Sequence, residues 1–261
     1  TFMKVGTITI LALGIIIVRP LVEMSAVTEF AFNTAGPVFA GTLFPFLFIT
    51  IACGALSGMH AMVSSGTSPK MVEKETQVRM IGYGGMLMES FVAIMALAAA
   101  VSLSPGIYFS MNTSTATMNK LAGPETVAAA PCKTTNDPEH HCEKLAEAAV
   151  AKLGVTDAQG RKPTPEWDSW DDQGNPKTYT GAEALERLAS DVGEPNVVSR
   201  TGGAPTLSVG IAHILHQIGG GRAMMGFWYH FAIMFEALFI LSAVDAVTRV
   251  ARFQLSDALG N

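Results

Sequence analysis

Apolar runs long enough to matter to a membrane alternate along this chain with one extended polar stretch. Residues 5–18, 43–63, 81–103, 204–218 and 227–247 are dominated by Leu, Ile, Val, Phe, Ala, Met and Gly. Residues 104–200 are rich in charge, proline and glycine. A helix needs roughly 20 apolar residues to cross a bilayer, so 43–63, 81–103 and 227–247 are predicted to span. Residues 204–218 are too short for a comfortable span and are predicted to form a re-entrant or half-length helix. Barrel strands would alternate in stretches of about ten residues. These runs do not, which leaves helices as the spanning solution. The predicted fold is all-α: a polytopic transmembrane helical bundle fragment with broken or re-entrant helices and an extramembrane insertion. Its expected parts are transmembrane helices over 1–103, about three spans with the short run 5–18 among them, an extracytoplasmic, partly helical insertion over 104–203, and a re-entrant or short helix, a span and a cytoplasmic end over 204–261.

Composition agrees with that division. The 261 residues are 49% hydrophobic and 15% charged, against about a quarter charged in a soluble domain. The insertion 104–200 holds 14 acidic and 9 basic residues, which accounts for the whole net charge of −5. No basic patch with interleaved aromatics is present, so nucleic acid is not an expected partner. The chain begins at Thr1 without an initiator Met; it is expected to be a piece of a longer membrane protein without a signal peptide. Lys70, Lys74 and Arg79 mark the loop between 43–63 and 81–103 as cytoplasmic. The insertion then lies on the far side, and Arg249 and Arg252 suit a return after the last span. That count closes only if 204–218 does not cross. If it does, Arg222 becomes the inside charge.

Polar groups inside the apolar runs are the candidate chemistry. On a helix over 45–68, Thr50, Cys53, Ser57, His60, Ser64 and Thr67 recur at spacings of three and four and share one face. Such a stripe must face other helices or a water-filled cavity. Gly54, Gly58, Gly66 and the tail SSGTSPK favour a break, and broken helices at membrane depth are tolerated where they line a cavity. Ser57, His60, Ser64, Ser65 and Thr67 are therefore candidate substrate-path residues. Ordinary packing, with hydroxyls bonded to their own helix, is the competing reading. Glu89 shares a face with Gly82, Gly85, Ala93, Ala96 and Ala100, a stripe that invites a neighbouring helix. Glu236 is mid-span with no partner on its own helix. Glu89, Glu236 and His230 are candidate proton-coupling groups, with a permanent ion pair or hydrogen bond as the alternative. Asp245 and Arg249, four apart, read as an interfacial ion pair. In RTGGAPTLSVGIAH (200–213), Gly202, Gly203 and Thr206 mark a helix start whose free N–H groups could hold a substrate carboxylate, or a plain turn. His213 and His216 could share a metal, but two ligands do not make a site.

Within the insertion, 139–153 and 181–192 look helical between Pro-rich linkers. Cys132 and Cys142 could form a disulfide in an oxidising compartment. Free thiols, or a metal shared with His140 and His141, are the alternatives. No metal-ligand set, nucleophile elbow or phosphate loop is found, so neither an enzyme nor a cofactor is expected.

Several long stretches carry a resemblance: PFLFITIACGALSGMHAMVSSGTSPK (45–70), IGYGGMLMESFVAIMALAAA (81–100), PGIYFSMN (105–112), DVGEP (191–195), RTGGAPTLSVGIAHI (200–214) and GFWYHFAIMFEALFILSAVDAVTRVARF (226–253). On these the chain resembles the carbon starvation protein A (CstA) family of bacterial inner-membrane transporters; 113–190 looks unlike it. The resemblance implies a multi-pass inner-membrane protein taking up peptides, or a small carboxylate such as pyruvate, during carbon starvation. It also implies a superfamily of symporters with inverted repeats. Expected partners are the substrate, protons or another coupling ion, and the lipid bilayer. A membrane nutrient sensor or receptor, binding ligand through the insertion without transport, is the alternative class.

Overall fold

The computed structural model describes residues 2–39, 41–49, 51–52, 58–129, 132, 141–171, 173–218 and 220–260. The first helix, α1, covers Phe2–Val18. The apolar run that follows is not one continuous helix over its described residues. A π-helical turn covers Leu43–Leu47, with Phe44 in an extended conformation (φ −119°, ψ 131°). Then come α2 (Gly58–Met62), a second π-helical turn over Val63–Thr67, and α3 (Ser68–Met71), which carries its proline in the first turn. The wide turns sit where Pro45 and the Ser-Ser-Gly-Thr sequence supply helix-breaking residues.

Two helices among the described residues are long and apolar enough to cross a membrane. They are α4 (Glu75–Val101, 27 residues) and α11 (Met225–Leu259, 35 residues). At a rise of 1.5 Å per residue they run about 40 and 52 Å. The first starts six residues before its predicted apolar run and ends two short of it, and the second extends past its own run at both ends. Most of their large side chains face outward: Met80, Ile94, Leu97 and Leu241 are all exposed. A helix apolar around its whole circumference is not built to meet water.

The insertion opens with α5 (Pro105–Asn112), α6 (Thr115–Ala122), α7 (Pro124–Ala129) and α8 (His141–Val150). Ser104 and Ser114 cap α5 and α6 by accepting hydrogen bonds from the N–H groups of Ile107 and Thr117, satisfying donors that a helix start leaves free. An antiparallel hairpin follows, β1 (Glu166–Trp170) and β2 (Pro176–Thr180), with Trp167 opposite Tyr179. The insertion closes with α9 (Ala182–Val192), which ends on Gly193 in the left-handed conformation (φ 76°). The hairpin corrects the all-α expectation. EWDSW alternates buried Trp167 and Ser169 with exposed Asp168, the period-two signature of a half-buried strand. Asp171 then folds the loop by accepting from the N–H groups of Gln173 and Asn175, a turn device of short acidic side chains.

Helix α10 (Ala204–Leu215) joins the two halves. Its 12 residues make it about 18 Å long. One face enters the insertion's core, where Val209 and Ala212 pack with Leu185, Leu188, Trp167 and Tyr179. The other enters a second core, where Ile211, Ile214 and Leu215 meet Ile8 and Leu11 of α1, Met95 and Ala99 of α4, and Ala232 of α11. The insertion's core thus continues past residue 203 into α10 and the first turns of α11, through Met225 and Tyr229.

Candidate functional site

The structure disperses the sequence-predicted residues. Ser57 lies outside the described residues, as do Thr50 and Cys53. His60 is exposed on α2. The hydroxyls of Ser64 and Ser65 both donate to the Ala61 carbonyl, at 3.0 and 2.7 Å, and Thr67 is buried. The broken stretch leans on the far end of α11 through an ion pair between Lys70 and Asp257, 2.7 Å long. Glu89 is exposed, and a Cβ built at Gly82 or Gly85 beside it would meet nothing within 4 Å. The packed face of α4 runs instead through Met95 and Ala99. Glu236 is half-buried, and its Oε2 is buried without a hydrogen-bond partner. It continues the stripe Met225, Tyr229 and Ala232, all three buried. His230 is exposed, and its Nδ1 donates to the Gly226 carbonyl at 2.7 Å. Asp245 pairs with Arg249 at 2.7 Å, both partners largely exposed.

The turn at 200–206 is well formed. Gly202 (φ 112°) and Gly203 (φ 83°) occupy backbone conformations that favour glycine, and Pro205 starts α10. Thr206 is buried, and its hydroxyl accepts from the Asn112 side chain at 2.8 Å, tying α10 to α5. The sulfurs of Cys132 and Cys142 lie 1.99 Å apart, a bonded separation.

The densest assembly of chemistry in the described structure lies elsewhere, where the insertion sits on α10. His213 and His216 project towards β1. The His213 ring lies 5.0 Å from the Trp167 indole, the His216 ring 5.6 Å from Trp170, and the two imidazoles 5.6 Å from each other. Behind β1, Asp191 accepts from Trp167 Nε1 at 3.0 Å and from the Ser169 hydroxyl at 2.5 Å. Arg187 stands 3.5 Å from the same carboxylate and donates to the Trp170 carbonyl. Burial of this acid is thus matched by charge-assisted bonds. In front, residues 19–24 cross as a strap. Its Glu23 N–H donates to the Val101 carbonyl, and Ala158 N–H donates back to Glu23. Arg19 turns the corner out of α1 at φ 51°. A cavity of about 410 Å³ opens between strap, β1 and the end of α10.

Sequence reasoning singled out His213 and His216 only as a metal pair. Among the described residues, no three His, Cys, Asp or Glu side chains gather as a ligand set. Trp167, Trp170 and Asp168 lie outside the stretches that carry the resemblance, and Asp191, which opens DVGEP within one of them, has no chemical signal of its own in the sequence. The signal is local: two indoles and two acids in EWDSW, and a His-x-x-His face on α10.

The architecture defines a class: a predominantly helical protein with two membrane-length helices, a broken apolar stretch and a folded insertion docked on a short helix. The model of the family described as carbon starvation protein CstA matches residues 1–164 and 147–261, so the chain belongs to that family. It is 50% identical over 261 residues to the peptide transporter CstA of Mycobacterium tuberculosis H37Rv, covering all of this chain and 29% of that protein. It is 50% identical to the peptide transporter CstA of Escherichia coli K12, over 100% of this chain and 31% of that protein. It is 49% identical to the pyruvate/proton symporter BtsT of the same organism, over 100% and 33%. The chain therefore spans about a third of the length of these relatives. No solved structure matches it.

Proposed function

We propose that this chain is part of a multi-pass transporter of the bacterial inner membrane that takes up short peptides, or a small carboxylate such as pyruvate, during carbon starvation, with proton coupling. The observation that carries the reading is identity of 49–50% along the whole chain to proteins named peptide transporter and pyruvate/proton symporter. The broken apolar stretch 43–71 supports it, because irregular backbone at membrane depth is characteristic of solute sites. His60, Ser64, Ser65 and Thr67, with Ser57, are the substrate-path candidates. Gly202, Gly203 and Thr206 are candidates for a carboxylate. Glu236 supports proton coupling, since it is an acid within a membrane-length helix whose Oε2 is buried without a hydrogen-bond partner, the kind of group that serves proton relays. Glu89 and His230 are the further candidates. The Cys132–Cys142 bond suits an insertion on the oxidising, extracytoplasmic side.

The test is uptake of labelled pyruvate and labelled dipeptides by the full-length protein in proteoliposomes, with and without an inward proton gradient. Gradient-dependent accumulation of either substrate is expected, and equilibration unaffected by the gradient counts against coupling. The cavity under the insertion also suits a receptor. Ligand binding without any uptake in the same vesicles would favour that reading.

A further inference from the structure

The cavity beneath the insertion adjoins a smaller one of about 140 Å³. Glu23, Ser102, Asp168 and His213 line both, so the two form one recess. Its total size falls in the range of small-molecule sites, roughly 300–1,000 Å³.

The recess is electrically lopsided. Its small chamber is bordered by Glu23, Glu166 and Asp168. The cation there, Arg161, is held by Asp157 at 2.6 Å and stands 3.9 Å from Glu166. Asp168 accepts from the Thr178 hydroxyl at 2.6 Å. Neither Glu23 nor Asp168 has an ion pair among the described residues. The large chamber carries the opposite character: Arg19, also without an ion pair among the described residues, beside Val18, Leu21 and the Trp170 indole. Two further observations mark the recess as more than a solvent cleft. His216 on its wall is only 6% exposed. His213, on the wall shared by both chambers, has a buried Nδ1 with no hydrogen-bond partner. The His216 ring is bonded to the Ala212 carbonyl at 3.1 Å, whereas a desolvated nitrogen like that of His213 costs free energy until something completes it.

We propose that this recess is the outer recognition site for a short zwitterionic peptide, its α-ammonium between Glu23 and Asp168 and its carboxylate towards Arg19. The inference rests on the transporter reading for its setting and deepens it by choosing the substrate class. A bare carboxylate such as pyruvate brings no cation to Glu23 and Asp168, the two acids without an ion pair among the described residues. A tripeptide, about 10 Å long when extended, carries a charge at each end and apolar atoms between them.

The test uses the full-length protein in nanodiscs, with calorimetric binding of trialanine, N-acetyl-trialanine and pyruvate, and in proteoliposomes for uptake. Trialanine is expected to bind. Removing its ammonium by acetylation, or one acid by Asp168→Asn or Glu23→Gln, is expected to weaken binding by about ten- to a hundredfold, the worth of one charged hydrogen bond. The acetylated peptide should not distinguish the variants from the parent. Glu23→Gln serves if Asp168→Asn does not fold. The site is overturned if folded protein binds no trialanine, if acetylation changes nothing, if pyruvate competes equally, or if both variants bind as the parent does. Charge-dependent binding without uptake would overturn transport and leave the site standing. Uptake indifferent to both variants would do the reverse.

Discussion

Gly210 of α10 lies directly against the Ala99 carbonyl of α4, with no room for a side chain between them. That contact packs α4 closely against the short helix bearing the insertion. In an exposed helix, replacing glycine would help by up to about 1 kcal/mol. Here the obstacle is backbone, which cannot swing aside, and overpacking costs about 1–3 kcal/mol. Gly210→Val is expected to lower the thermal midpoint of the purified protein. Fluorescence-monitored unfolding in detergent checks this, and an unchanged midpoint would contradict the contact.

Asp191 holds Trp167, Ser169 and Arg187 at once. Its side chain is 3% exposed and that of Arg187 13%. Asp191→Ala strands a desolvated guanidinium, and loss of one member of a buried pair costs about 3–5 kcal/mol. Asp191→Ala should therefore unfold the insertion or leave it sensitive to trypsin at Arg187. Asp191→Asn, which keeps the acceptor oxygen for the indole, is expected to fall between the two. Limited proteolysis of the three proteins gives the order.

Burial by itself would push the Asp157 carboxyl up. The N–H groups of Arg161 and Gln159 and the Arg161 guanidinium outweigh it, holding the group below the usual carboxylate value of 3.8. A depressed acid stabilises the fold above its unfolded value, and that contribution disappears as pH falls through the folded one. The loop 157–161, and the strap it holds through Ala158 and Glu23, should thus keep constant amide protection from pH 5 to 8 and lose it below about pH 4. Asp157→Asn should lower protection at pH 7 and flatten the acid transition. Hydrogen exchange, corrected for intrinsic rates, measures both.

Glu236 and Glu89 differ in surroundings as described, the first half-buried and the second exposed. If Glu236 carries the coupling proton, Glu236→Gln abolishes gradient-driven accumulation while protein level and membrane insertion stay normal. Glu89→Gln should do the same only if another part of the full-length protein covers its face. Wild-type accumulation by either variant removes that residue from the coupling step.

Hydropathy along the chain was sufficient for the two long helices, for the polar insertion and for the break after Leu43, because the length of an apolar run and the positions of Pro, Gly and Ser act locally. It was also sufficient for the helices at 141–150 and 182–192 and for the glycine turn before Pro205. The hairpin shows in the sequence only as the short alternation of EWDSW, which five residues among charged and Pro-rich neighbours do not distinguish from a loop. The meeting of Arg19, Glu23, Asp168 and His213 was not legible at all. These residues come from three segments far apart in sequence, the strap, β1 and α10, and only the docking of the insertion on α10 closes them around one space. Membrane affinity is a sum over neighbouring residues, which a linear reading can perform. A cavity is made by residues distant in sequence, and the folded chain alone decides which of them share it.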